Sequence, residues 1–152
     1  MSRLQRFLLA AALGVAGIAS VCRLPAADRV TIRPDNSTGL VAINGEIVDY
    51  TDEFLTIRSA GAALPQVIDT GEIAAVETAR SPAHLNGLAA YARNDLATAR
   101  SAFEQALLTE GRRWMQRELM AELVRCDARE GNLGSAAVRF VQITESEAHH
   151  RH

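Results

Sequence analysis

The 152-residue sequence predicts an α+β protein, a small β-barrel-like module followed by two antiparallel helical hairpins. Three observations predict it. Between residues 28 and 80, short apolar runs alternate with polar residues and are broken by turn-forming pairs. From Ser81 the apolar spacing changes to steps of three and four, the period of a helix. The residues before 28 form a third unit, charged at its start and apolar through its middle.

That first unit, residues 1–27, reads as a secretory signal. Arg3 and Arg6 precede an apolar run from Phe7 to Cys22, which ends in small residues. At 16 residues the run is shorter than the roughly 20 that span a bilayer in comfort. Cleavage beside Ala26 and Ala27 is the expectation, and an uncleaved anchor is the alternative. Cys22 suggests a lipoprotein, but the bulky Val21 stands where a small residue is wanted. The chain is therefore expected to be exported, periplasmic or extracellular, and membrane-held only if the leader stays.

Removing Arg3, Arg6 and Arg23 leaves 13 arginines against 18 acids, a net charge of −5. Residues 28–80 carry all of that imbalance, with nine acids and four arginines. Phosphate-backbone binding needs clustered cations, so nucleic acid is not an expected partner. Only Cys126 remains after cleavage, and a lone thiol closes no internal disulfide. It shares a helical stripe with Met115, Leu119 and Leu123, which reads as a small buried apolar residue.

In the β module, Val30 and Ile32 alternate with polar neighbours, and 35–39 is a turn. Leu40 to Ile43 forms the next strand. Asn44-Gly45 reads either as a hairpin turn or as a bulge within one long bent strand. Ile47 to Tyr50 follows, then a turn at Asp52-Glu53 and a strand from Phe54 to Arg58. Ser59 to Leu64 is a loop. Pro65 to Ile68 and Ile73 to Val76 flank a turn at Asp69-Thr70-Gly71. The stretch Gly45 to Tyr50 followed by Leu55 to Arg58 resembles the bent-strand region of small SH3-like and Sm-like barrels. Sm-like relatives often bind RNA, and the acidity of this module argues against that here. Asn36-Ser37-Thr38 matches a glycosylation sequon.

The helical module, residues 81–147, opens at Ser81-Pro82, a capping residue followed by proline at the first helical position. Asn94-Asp95 interrupts it, and Asp95 can cap a second helix from Leu96, which Gly111 ends. In the second helix Leu96, Ala99, Phe103, Ala106 and Leu107 form one apolar face. Gly87, Ala99, Phe103 and Ala106 stand at the spacing of a tetratricopeptide repeat, and at these residues the chain resembles that family. The family's first-helix aromatic is missing, since Ala90 stands there. Gly111 replaces its closing proline. A fainter copy follows 37 residues on, where Gly131 to Ala136 echoes Asn94 to Ala99, Phe140 echoes Phe103, and Val124 replaces Gly87. A generic four-helix arrangement is the alternative.

Arg112 to Arg129 is the longest predicted helix. Trp114, Glu118, Ala121 and Arg125 share one side of it. The resemblance implies that this side, with His84 of the first helix, lines a concave protein-binding face. His84, Trp114, Glu118 and Arg125 are therefore the candidate partner-binding residues. The alternative places Trp114 beneath the β module. An exposed Trp114 would favour a groove, and a broad exposed apolar patch would favour an assembly subunit.

No metal-site, phosphate-loop or nucleophile-elbow pattern occurs. Asp49, Asp52 and Glu53 lack a basic or histidine partner in sequence and read as turn residues. His149, His150 and His152 lie in an expected disordered tail, 148–152. The expectation is a non-enzymatic adaptor with no cofactor, binding a peptide or protein through the helical groove. A structural or assembly subunit at the membrane is the alternative, and homo-oligomerisation is open.

Overall fold

A computed structural model of the chain describes residues 27–34 and 39–148. The leader before Ala27, the sequon with most of its turn, and the histidine tail lie outside these residues. The order is five strands and then four helices, an α+β fold. The strands are β1 (Asp28–Ile32), β2 (Val41–Tyr50), β3 (Phe54–Arg58), β4 (Gln66–Asp69) and β5 (Ile73–Glu77). All neighbours run antiparallel, in the order β4-β3-β2-β1-β5.

β2 positions the rest of the sheet. Its first half pairs with β1, Asp28 opposite Gly45, and its second half pairs with β3 from Glu46 opposite Arg58. Asn44-Gly45 is thus no hairpin turn, and one bent strand runs through it. Gly45 is buried, and a Cβ there would collide with the backbone carbonyl of Arg58. The glycine is required by that close approach of two strands, not by a turn. A register shift between Ile47 and Asp49 bends β2 further and leaves Val48 exposed. Val30, Ile32, Ile47, Leu55, Ile57 and Ile68 are buried in the core.

Asp28 is buried and fully engaged. Its carboxylate accepts from the Ile47 amide at 2.9 Å and the Thr78 hydroxyl at 2.6 Å. These donors are why an acid is tolerated there. Between β4 and β5 the expected turn closes as one 3-10 turn, with Asp69 accepting from the Gly71 amide at 2.7 Å.

The helices are α1 (Pro82–Ala92), α2 (Leu96–Thr109), α3 (Arg113–Arg129) and α4 (Leu133–Ala148). Ser81 caps α1 by accepting from the His84 amide, and Asp95 caps α2 by accepting from the Thr98 amide, each at 3.2 Å. Asn94 takes φ 61° and Gly131 φ 81°, so the α1–α2 and α3–α4 turns each use a residue that tolerates the left-handed region, whereas the α2–α3 connection does not. α4 includes Ala148, which the sequence assigned to the tail.

α1 and α2 close on Gly87 and Phe103. The Phe103 ring is fully buried, and a Cβ on Gly87 would lie 2.5 Å from it. α3 then covers the other side of α2 with Met115, Leu119, Leu123 and Cys126, all fully buried. Charges lock the three later helices together. Arg100 of α2 meets Asp127 of α3 at 2.9 Å and also Glu130. Arg139 of α4 meets Asp127 at 3.1 Å and Glu104 of α2 at 3.4 Å.

Candidate interaction surfaces

The four residues expected to line one binding face serve different ends. Trp114 is 3% exposed. Its indole N–H donates to the Ile47 carbonyl at 3.1 Å, and its ring meets Tyr50 at 6.2 Å between centroids. It is the plug between the two modules, as the alternative reading had it. The expectation of an exposed Trp114 is corrected for a physical reason. β2 docks on the first turns of α3, where an apolar ring gains more from burial than from water.

Arg112 and Arg117 complete that junction. Arg112 lies 5.4 Å above the Trp114 ring and donates to the Thr78 hydroxyl at 2.9 Å and the Ala79 carbonyl at 2.8 Å. It also pairs with Glu110 at 2.8 Å. Arg112 thereby holds the Glu110 carboxyl below the usual carboxylate range, and Glu110 holds the guanidinium above its own. Arg117, 6% exposed, pairs with Asp49 and donates to the Tyr50 carbonyl at 3.1 Å. Asp49 is therefore no mere turn residue. Sequence reading missed Arg112, Arg117 and Asp49, because the partners that make the junction lie at least 33 positions away.

His84 is also buried, its ring edge-on to Phe103 at 6.0 Å. Its Nε2 has no hydrogen-bond partner, and the nearest acid, Glu118, stands 3.9 Å away. Burial pushes the imidazole below its ordinary value, so it is neutral at pH 7. Glu118 accepts from Arg80 at 2.9 Å and so ties the β5–α1 connection to α3. Arg125 is the one candidate with an exposed side chain, and it pairs with the nearly buried Glu122 at 2.5 Å. The four thus form no common groove. Cys126 is fully buried, and burial raises its thiol above the usual value, which suits packing rather than reactivity.

Two clefts open around the β module. One of about 550 Å³ is bounded by Phe54, Arg58, Arg113 and Trp114. The other, of about 720 Å³, is bounded by Ala27, Gly45, Arg58, Gly61 and Arg112. Arg58 faces Glu46 at 3.9 Å and Arg112 is held by Glu110, so neither cleft gathers a strong charge of one sign. Neither places a nucleophile beside a base. Among the described residues no group of three His, Cys, Asp or Glu could hold a metal ion. No helix of these residues is long and apolar enough to cross a membrane.

Among the described residues, several of the exposed large apolar side chains stand together on α4. Leu133 is 69% exposed, Val138 61%, Phe140 58% and Val141 50%. At 100° per residue, Leu133, Ala137, Phe140 and Thr144 fall on one line, with Val141 beside it. Ala136 and Arg139 face α3 instead. Phe140 echoes the fully buried Phe103, and Val124 stands where Gly87 admits that ring. Phe140 itself lies outside, and the two copies differ in sequence at Gly87 and Val124. Compared with protein-family models, curated proteins and solved structures, the chain matches none of them.

Proposed function

We propose that the protein is a non-enzymatic assembly subunit that works by docking the open face of its second hairpin onto protein. One observation carries this reading. α4 keeps Leu133, Phe140 and Val141 half to two-thirds exposed along a single face. Scattered apolar residues on a surface need no explanation, whereas a contiguous patch marks an interaction site. On α2 the corresponding ring, Phe103, is covered by α1 at Gly87. The paired Arg139 anchors α4 from behind, so the face is presented on a fixed helix.

The adaptor reading, in which a peptide lies along α1 and α3, has less support. It counted on Trp114, which the β module now occupies. Anchoring at the membrane rests on the leader alone.

The test is photocrosslinking in the native host, with benzoylphenylalanine in place of Val141. A discrete protein adduct that disappears when Phe140→Asp is added supports docking. Irradiation that leaves only the free chain refutes it.

A further inference from the structure

We infer that the occupant of the α4 face is a second copy of this chain, with the two α4 helices crossing antiparallel about a two-fold axis. The inference rests on the reading above, that this face is covered in the working protein. Leu133, Ala137, Phe140 and Thr144 are spaced four, three and four residues apart, the spacing of a two-helix seam.

The seam is self-complementary. A two-fold axis crossing α4 between Val138 and Arg139 puts Phe140 against the partner's Ala137. The same axis puts Leu133 against the partner's Thr144. Large therefore meets small at every step, twice over, as an isologous contact requires. The parallel alternative stacks Phe140 on the partner's Phe140 and Ala137 on the partner's Ala137, leaving a bulge and a gap. The antiparallel crossing also sets the C-terminal end of each α4 beside the N-terminal end of the other, where helix dipoles attract. The only arginine on the helix, Arg139, points away into its bond with Asp127, so no cation is buried in the seam.

Area sets the strength. Phe140, 58% exposed, offers roughly 100 Å² of the 150–250 Å² an aromatic can bury. With Leu133 and Val141 beside it, the pair covers on the order of 800–1,000 Å² in total, at the transient end of specific interfaces. The dimer is therefore weak and set by concentration, forming where local supply of the chain is high.

Sedimentation velocity on the full chain tests this across the micromolar to millimolar range. The sedimentation coefficient should rise from the monomer value toward that of a dimer. Phe140→Asp and Ala137→Arg should each hold it at the monomer value, with unchanged thermal melts because both positions are exposed. Val67→Asp, at an exposed site on β4, should leave the rise intact. A chain that stays monomeric throughout overturns the inference, and so does a dimer that survives either α4 variant. In the crosslinking experiment an adduct of twice the chain's mass supports self-pairing. An adduct of any other mass overturns the second copy while leaving the docking face standing.

Discussion

Arg125 shows how far a single exposed charge can mislead. Its side chain is 60% exposed, yet it pairs with Glu122, whose side chain is 10% exposed. On its sequence position alone, Arg125→Glu is a surface change worth about 0.5 kcal/mol or less. With Glu122 three residues away, it instead sets two acids together and leaves the inner one unpaired. The expected loss is about 1 kcal/mol, kept small by solvent around the exposed partner. Chemical denaturation of the variant measures it, and a midpoint equal to that of the parent would show the pair contributes nothing.

His84 gives the pH dependence. Burial lowers its pKa in the folded chain, the nearby Glu118, Glu122 and Glu110 oppose that, and Arg80 reinforces it. An unfolded chain therefore takes up a proton first as the pH falls through about 6.5. Its contribution to stability is complete above that pH and is lost as pH falls toward the folded value. Melting temperature should drop between neutral and mildly acidic pH, and His84→Asn should flatten that drop. A variant with the same slope as the parent would assign the effect to other groups.

At the scale of the hairpin, Gly87 and Phe103 act as one unit. Phe103→Ala removes a fully buried ring and should cost about 3–5 kcal/mol. Gly87→Ala adds helix propensity but drives a Cβ to 2.5 Å from that ring. The ring is packed on all sides and cannot swing away, so the clash should win by about 1–3 kcal/mol. Double-mutant analysis checks the link, because in the Phe103→Ala background the alanine at 87 should become neutral or stabilising. Equal costs in both backgrounds would mean the two residues do not meet. At the corresponding positions of the second hairpin stand Val124, partly buried, and Phe140, 58% exposed.

Across the molecule, the sheet and the helices share one continuous core, joined through Trp114. Asp28, Arg112 and Arg117 surround that junction with bonds from β1, β2, the β5–α1 connection and α3. The parent should therefore unfold in one cooperative step. Trp114→Ala opens a cavity at the joint and leaves the Ile47 carbonyl without its donor. The expected outcome is a loss of about 3–5 kcal/mol with a broadened or split calorimetric transition. A single sharp transition in the variant would show that the modules couple elsewhere.

Local chemistry was enough to read most of the elements. Ser81-Pro82 and Asn94-Asp95 mark helix ends because capping and left-handed backbone are properties of a residue and its nearest neighbours, whereas α2 stops at Thr109, before the expected Gly111. The five strands were legible for the same reason, since alternation is local. Asn44-Gly45 was not, because only the approach of Arg58 from another strand tells a bend from a turn. The candidate site fared worst. Helical angle correctly grouped Trp114, Glu118 and Arg125 on one side of α3, but angle does not say what stands opposite. β2 stands opposite Trp114, Arg80 opposite Glu118, and nothing among the described residues opposite Phe140. Burial depends on contacts between residues far apart in the chain, and such contacts leave no periodic trace in the sequence that makes them.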